Sequence, residues 1–330
     1  MTSKFLGIAV LLTSLFIGWL WLDYQNAIKQ VLVDKTVYVE IEKGDSLNRI
    51  IEKLQDQGLS IKPIWFKCFA YLNEKAALLK TGEYELAENS TVPELIDLFV
   101  SGKVRQHSIT FPEGWTFSQL YELIRKNDKV HKTIDTMDLV SIASMIDRNY
   151  SHPEGLFFPD TYFFEKNTTD IALLKRAYDR MRTVLETEWQ NRQPDLPLTS
   201  PYQALILASI IEKETGLASE RPAIAGVFVR RLKQDMMLQT DPTVIYGMGS
   251  DYDGDIRSKD LKTPTPYNTY VIKGLPPTPI ALPGREAIRA ALHPEPGESL
   301  YFVARGDGSH VFSDTLKKHQ EAVNLYQLGR

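Results

Sequence analysis

Residues 202–216 read Tyr-Gln-Ala-Leu-Ile-Leu-Ala-Ser-Ile-Ile-Glu-Lys-Glu-Thr-Gly. The stretch is apolar nearly all the way round, which predicts a core helix over Tyr202–Lys213, buried on most faces. Its end breaks the pattern: two carboxylates flank Lys213, and Gly216 is expected to stop the helix. A carboxylate at the end of a buried helix is partly desolvated. Desolvation disfavours its charged form and raises its pKa, as a general acid working near neutral pH requires. Residues two apart on a helix point about 200° from each other. Glu212 and Glu214 are therefore no face-to-face pair; one is expected to face a cleft and the other solvent or Lys213. A charged, solvated helix terminus is the plainer reading of the same residues.

Outward from this helix, the chain alternates elements of both kinds. On the C-terminal side a helix is expected over Glu220–Gln234, with Arg230 and Arg231 on its exposed side. The stretch Leu238–Pro283 has little periodicity and is rich in Thr, Pro, Tyr, Gly and Asp. Irregular segments of that length inside a compact domain usually serve a site. A short helix over Glu286–Leu292 follows. Then come a strand over Leu300–Ala304, a tight turn at Gly306-Asp307-Gly308, a return at Val311-Phe312, and a last helix from near Asp314. On the N-terminal side lie a loop at Pro194–Pro201, a long amphipathic helix over Asp170–Gln190 capped by Thr168 or Thr169, and an aromatic, proline-rich stretch from Ser151. A domain boundary is expected near that change of texture.

The first third has a different character. Phe5–Leu22 contains no charged residue, and roughly 17–25 such residues span a bilayer. Lys4 precedes the run and Asp23 follows it, so the positive end marks the cytoplasmic side and the remainder lies outside. Trp19, Trp21 and Tyr24 fit an aromatic belt. No small-x-small cleavage site follows the apolar run, which favours an uncleaved anchor over a signal peptide. Beyond it, Val37–Ile41 alternates as a strand. Gly44-Asp45-Ser46 forms a turn and helix cap, Leu47, Ile50, Ile51 and Leu54 recur at helical spacing, and Gly58 closes the helix. A second helix is expected over Lys62–Asn73 with Pro63 in its first turn, a strand at Tyr84–Leu86, and a helix over Val92–Phe99 closed by Gly102. Ile41, Gly44, Ser46, Leu47, Ile50 and Leu54 match Phe111, Gly114, Thr116, Phe117, Leu120 and Ile124 at one constant displacement. This is either an internal repeat or the same strand–turn–helix signal arising twice.

Several chemistries find no support. A net charge of -4 without a basic patch argues against nucleic acid as a partner. No Cys/His cluster has zinc-ligand spacing, so no metal is expected. The single cysteine, Cys68, lies in an apolar run and is expected to be a buried structural thiol. Neither a Walker loop nor a dinucleotide fingerprint is present, so no nucleotide cofactor is expected. Histidines 107, 131, 152, 293, 310 and 319 are not near a Gly-x-Ser-x-Gly elbow, and His293 and His310 are read as structural. If the chain is a two-carboxylate glycosidase, the candidates for the second acid are Glu154, Asp160, Glu220 and Asp241.

One family accounts for the motifs together. Glu154-Gly155 with Phe158-Pro159-Asp160-Thr161-Tyr162, Leu207–Thr215 with its Glu-Lys-Glu-Thr end, Ala218-Ser219-Glu220-Arg221 and Leu238–Gly247 occur in that order. Tyr267-Asn268-Thr269-Tyr270, Gly274-Leu275-Pro276-Pro277 and Leu292-His293-Pro294 follow. The Tyr301-Phe302-Val303 strand and the His310-Val311-Phe312 return complete the set. In these the sequence resembles the endolytic murein transglycosylase family, also called MltG or YceG-like, over nearly its whole length. The resemblance implies an α+β chain: a cytoplasmic tail at 1–4, a transmembrane anchor at 5–22, a LysM-like α/β module at 36–103, a strand–helix connecting region at 104–150, and an α+β catalytic domain at 151–330. It implies that Glu214 is catalytic, a role in which one carboxylate can serve as acid and then as base, and that the chain cleaves the bond from N-acetylmuramic acid to N-acetylglucosamine in nascent strands, leaving a 1,6-anhydro end; no cofactor is expected. Gln239, Thr240, Asp241, Tyr246, Asn268 and Tyr270 are the candidates to orient the sugar. The implied partners are peptidoglycan strands and the bacterial inner membrane, with peptidoglycan synthases as further candidates. A two-carboxylate muramidase and a non-catalytic, anchored glycan-binding scaffold are the alternatives.

Overall fold

The uncharged N-terminal run folds as α1 (Thr2–Lys29), whose apolar residues from Phe5 to Leu22 stand exposed around the helix. It is long and apolar enough to cross a membrane, which makes it a candidate anchor. The helix continues past Leu22, where Asp23 accepts from Trp65 Nε1 at 2.7 Å and pairs with Lys62 at 2.6 Å. In the computed structural model the described residues are 2–135 and 138–329; residue 1 of the expected tail lies outside them. The chain divides into two compact units, Met1–His107 with Phe164–Asn167, and Ser108–Phe163 with Thr168–Arg330. The change of sequence texture at Ser151 thus falls inside the second unit.

In the first unit, β1 (Val37–Ile41) leads through a Gly44 turn into α2 (Leu47–Asp56). Next come α3 (Pro63–Leu72), β2 (Gly82–Leu86) and α4 (Val92–Ser101). β1 and β2 pair antiparallel, Val37 opposite Leu86 and Ile41 opposite Gly82. Leu54, Phe66, Tyr84, Leu95 and Phe99 close the core from these elements. Cys68 is only half-buried. Its side of α3 meets Trp21 and Tyr24 of α1 across a shallow apolar hollow and not the unit's core, which corrects the expected buried thiol.

β3 (Gln106–Thr110) and β4 (Thr161–Glu165) form a second two-stranded sheet. The second unit continues with α5 (Phe117–Lys126), α6 (Leu139–Ile146) and α7 (Asp170–Gln190), the last capped by Thr169 accepting from Ala172 N. The strand–turn–helix signal that occurs twice in the sequence has matching local geometry in both places. Gly44 and Gly114 both take positive φ, and Ser46 and Thr116 both cap a helix by accepting from the backbone three residues on.

At the centre lies α8 (Pro201–Glu214), with every residue from Ala204 to Ile211 buried. It packs against α7, α9 (Arg221–Lys233), α10 (Asp241–Met248) and α11 (Arg285–Leu292). The helix runs one residue past the expected Lys213, to Glu214: Thr215 is already extended, and Gly216 is not in the left-handed region that would make it the stop. α10 was not expected from periodicity. It is short, and its Asp241-Pro242 start is the one local signal for it. The hairpin β5 (Tyr301–Ala304) with β6 (His310–Ser313) and the closing α12 (Leu316–Tyr326) complete the unit.

Candidate active site

Polar residues on α8 decide what surrounds its C-terminal end. Buried Ser209 accepts from Ile280 N at 3.0 Å, and one turn later Glu212 accepts from Gly284 N at 2.9 Å. These two fasten the 280–284 segment along the helix, since a buried backbone N–H without a partner is costly. Glu212 also pairs with Arg221 at 3.0 Å, its side chain 5% exposed. The expectation that the second glutamate meets solvent or Lys213 is therefore corrected: Glu212 is an internal brace, and Lys213 donates instead to Gly114 O at 3.3 Å.

Glu214 points the other way, into a cavity of about 510 Å³. It is half-buried, and desolvation pushes its carboxyl up to about 7. A hydrogen bond from Thr240 and the field of His310 lower it, and neighbouring Asp241 raises it further. Thr240 Oγ1 donates to Glu214 Oε1. Thr240 is itself buried in a threonine network: its N–H donates to Thr269 Oγ1 at 3.0 Å, and its carbonyl accepts from Thr243 Oγ1 at 2.7 Å. So Thr240 touches Glu214 and not the open cavity.

Gln239, Asp241 and Tyr270 line the same cavity as Glu214. Gln239 sits at φ +52°, a strained backbone for a non-glycine residue. It is held there by its N–H on Thr269 O at 3.0 Å and by Arg231 Nη1 on its side-chain oxygen at 3.1 Å. Tyr270 donates to Asp241 Oδ1 at 2.6 Å. Asn268 is buried: its amide donates to the carbonyls of Asp260, Leu261 and Thr263, and its oxygen accepts from Tyr270 N at 2.9 Å. It shapes the loop that presents Tyr270. Tyr246 is not brought to Glu214. It lines a separate cavity of about 620 Å³ and donates to Glu154 at 3.0 Å. Glu154, which also accepts from Phe117 N at 2.8 Å, is pushed by burial up to about 7.

Of the four candidate second acids, only Asp241 shares the cavity with Glu214. Glu220 is bonded to His310, and Asp160 caps its own turn by accepting from Thr161 N.

Two residues of this cavity depart from the sequence expectation, Arg231 and His310, and His319 joins them there. Arg231, expected on an exposed face, is 6% exposed. Its guanidinium donates to the carbonyls of Leu300, Met237 and Leu238 and lies over the Tyr301 ring at 5.0 Å. Five donors in a planar fork satisfy several carbonyls at once, which is how an arginine is tolerated inside. His310 and His319 also line the cavity. His319 stacks on Tyr301 at 5.2 Å, and burial lowers its pKa. A histidine paired with an acid ninety positions away leaves no local pattern in the sequence.

The Thr240 contact has a testable consequence. A donor to a carboxylate favours its ionised form. Thr240→Val removes that donor at nearly equal volume, so the Glu214 pKa rises. If Glu214 works as an acid, activity is lost as pH rises through that pKa, and the alkaline limb of the pH–rate profile moves to higher pH in the variant. An unmoved limb in a folded variant contradicts the assignment of that limb to Glu214.

The YceG-like family matches residues 39–325. A Bacillus subtilis protein named endolytic murein transglycosylase is 32% identical, over 94% of this chain and 91% of its own length. A Streptococcus pneumoniae protein of the same name is 25% identical over 88% of this chain, which spans 58% of that longer relative. Among solved structures, a YceG-like protein of Listeria monocytogenes superposes with a TM-score of 0.57 at 30% identity, covering 87% of this chain and 98% of that one. With a family match running from β1 to α12 and a relative similar along almost its whole length, the chain belongs to the YceG-like family.

Proposed function

We propose that this chain is an endolytic murein transglycosylase with Glu214 as its catalytic acid. The observation that carries the reading is the carboxyl of Glu214, held at the end of a buried helix, open to a polar cavity and raised to about 7. Such a group is protonated for a useful fraction of the time at neutral pH. It gives its proton to the glycosidic oxygen between N-acetylmuramic acid and N-acetylglucosamine, and the bond breaks through an oxocarbenium-like state. Glu214, now ionised, takes the proton of the sugar's own 6-hydroxyl as that oxygen closes on the anomeric carbon to give a 1,6-anhydro end, which returns the carboxyl to its starting state. Because the nucleophile belongs to the substrate, no second catalytic carboxylate is required. Gln239, Asp241 and Tyr270 are proposed to orient the sugar beside Glu214. Thr240 tunes Glu214, and Asn268 holds Tyr270 in place. Tyr246, which lines the other cavity, is left out of that set. Asp241 beside Glu214 is the one observation that favours a two-carboxylate hydrolase.

The strand–helix–helix–strand order of the first unit, β1-α2-α3-β2, supports the LysM-like reading and with it a glycan-holding role for that unit. The charge flanks of α1 support insertion with Lys4 on the cytoplasmic side of the bacterial inner membrane and the rest outside, where nascent strands and the synthases that make them lie. A reporter active only outside the membrane, fused after Arg330, is expected to give signal; a cytoplasmic signal contradicts this orientation. The function is tested by incubating the purified protein with long, uncrosslinked glycan strands. Shortening from within, in fragments of mixed length, is expected. Strands bound but left uncut contradict the enzyme and favour the scaffold alternative.

A further inference from the structure

α3 is apolar on two opposite faces. Phe66 and Ala70 are buried in the core of the first unit, with Phe69 packed beside them. Ile64, Cys68, Tyr71 and Leu72 fall at i, i+4, i+7 and i+8, which makes one stripe on the other side of the helix. Along it Ile64, Tyr71 and Leu72 are 67%, 66% and 71% exposed. A helix on the surface of a water-bathed unit carries polar residues on that side. Lys67, the one charged residue of α3, lies at the edge of the stripe, where a lysine stem can run along apolar surroundings to a polar layer.

The place of this stripe is set by α1. Trp65 Nε1 donates to Asp23 at 2.7 Å, and the Trp65 ring meets Tyr24 edge-on with centroids 5.6 Å apart. Beside them a hollow of about 270 Å³ separates the helices, lined by Ile17, Leu20 and Tyr24 of α1 and by Trp65, Cys68 and Leu72 of α3. α3 therefore stands against the last part of the uncharged run. That part has to lie in the bilayer if α1 crosses it. Phe5–Leu22 is eighteen residues long, about 27 Å at the usual helical rise and close to the roughly 30 Å of a hydrocarbon core. Phe5–Phe16 alone would reach about 18 Å, far short of it. A membrane deep enough to hold Ile17 and Leu20 thus reaches Cys68 and Leu72 across the hollow. Resting on the reading of α1 as a membrane span, we propose that α3 is an interfacial helix. Its Ile64-Cys68-Tyr71-Leu72 stripe lies among the headgroups and upper acyl chains of the leaflet on the side of the folded units, and lipid fills the hollow. Trp21, Tyr24 and Trp65 supply the amphipathic rings that favour that layer. Interfacial helices bury their apolar face about 5–10 Å deep, and the rise from Ile17 to Asp23, about 9 Å, matches that depth. The first unit is then seated on the bilayer by two elements and does not swing on a single tether.

The test uses the full chain in vesicles of phosphatidylethanolamine and phosphatidylglycerol. Cys68 is the only cysteine, so Cys68→Ser clears the chain for single nitroxide labels. Three labelled variants are compared: Tyr71→Cys on the stripe, Glu52→Cys on the exposed side of α2, and Leu11→Cys within α1. Relaxation by oxygen, which concentrates in lipid, is measured against relaxation by a water-soluble nickel chelate. We expect the oxygen-to-nickel ratio at position 71 to lie several-fold above that at position 52. Equal ratios at 71 and 52, with position 11 in lipid, overturn this proposal alone. Low access to both reagents at 71 overturns it as well, because protein and not lipid then covers the stripe. A label at position 11 that is open to the nickel chelate removes the membrane span, and this proposal falls with it. Should Tyr71→Cys fail to fold, Ile64→Cys reads the same stripe with the same outcomes.

Discussion

Glu214→Gln is expected to fold and to lose turnover by about 10²–10⁴-fold, the range for removal of a positioned acid. The amide keeps the shape and can still accept from Thr240, but it has no proton to give. The same change has a stability signature of known sign. The carboxyl is raised from an ordinary 4.5 to about 7 in the folded protein. The folded state therefore binds its proton more tightly than the unfolded chain does, and stability falls as pH rises from about 4.5 to about 7. Glutamine pays none of this. The variant's melting temperature should match the wild type at low pH and exceed it at pH 8. Glu212→Gln should behave in the opposite way. It removes the charge opposite Arg221 in a pair of which neither side chain is more than 11% exposed. Breaking such a pair costs up to about 3–5 kcal/mol when one partner is truncated, less when an amide remains. Its melting temperature should drop while turnover per folded molecule stays far above that of Glu214→Gln. A reversal of the two effects would place the acid at 212.

The difference between these neighbours shows what the sequence makes legible. Helical spacing requires that Glu212 and Glu214 diverge, and the apolar run before them requires that both start from the core. Which one meets the cavity depends on Arg221, Gly284 and Thr240, which lie nine, seventy-two and twenty-six positions from their partners. Local rules carry no information about such distances. The same limit explains Arg231. Charge near a helix C-terminus ordinarily reads as a solvated face, and the carbonyls of 237, 238 and 300 with the Gln239 side-chain oxygen make its burial tolerable. It explains His310 as well, whose partner is supplied by the turn before α9. Elements set by neighbouring residues fared better. The Gly44 turn with its Ser46 cap, the Thr169 cap and the β5–β6 hairpin lie where hydroxyl, glycine and alternation signals put them. α10 escaped because an eight-residue helix opening on Asp241-Pro242 offers too few turns for periodicity.

Tyr246 illustrates a different gap. It shares a motif with Gln239, Thr240 and Asp241, yet α10 turns it to the far side, against Glu154. Proximity in sequence placed it with the sugar-orienting candidates; the helix separates it from them. Glycine at 155 matters to that second cavity. It takes φ +75°, and a Cβ there would lie 2.4 Å from Pro279, so the turn that carries Glu154 inward tolerates no larger residue.

The central claim is that the substrate's own hydroxyl, and not water, ends the reaction. An intramolecular nucleophile gains from proximity, with effective molarities that reach about 10⁵–10⁸ M, so water competes poorly for an oxocarbenium ion formed beside Glu214. Digestion of purified glycan strands in oxygen-18 water, read by mass spectrometry of the new muramic ends, tests this most directly. The expected product has 1,6-anhydro ends carrying no label. Reducing ends carrying one oxygen-18 each would contradict it and point to Asp241 as the carboxylate that activates water.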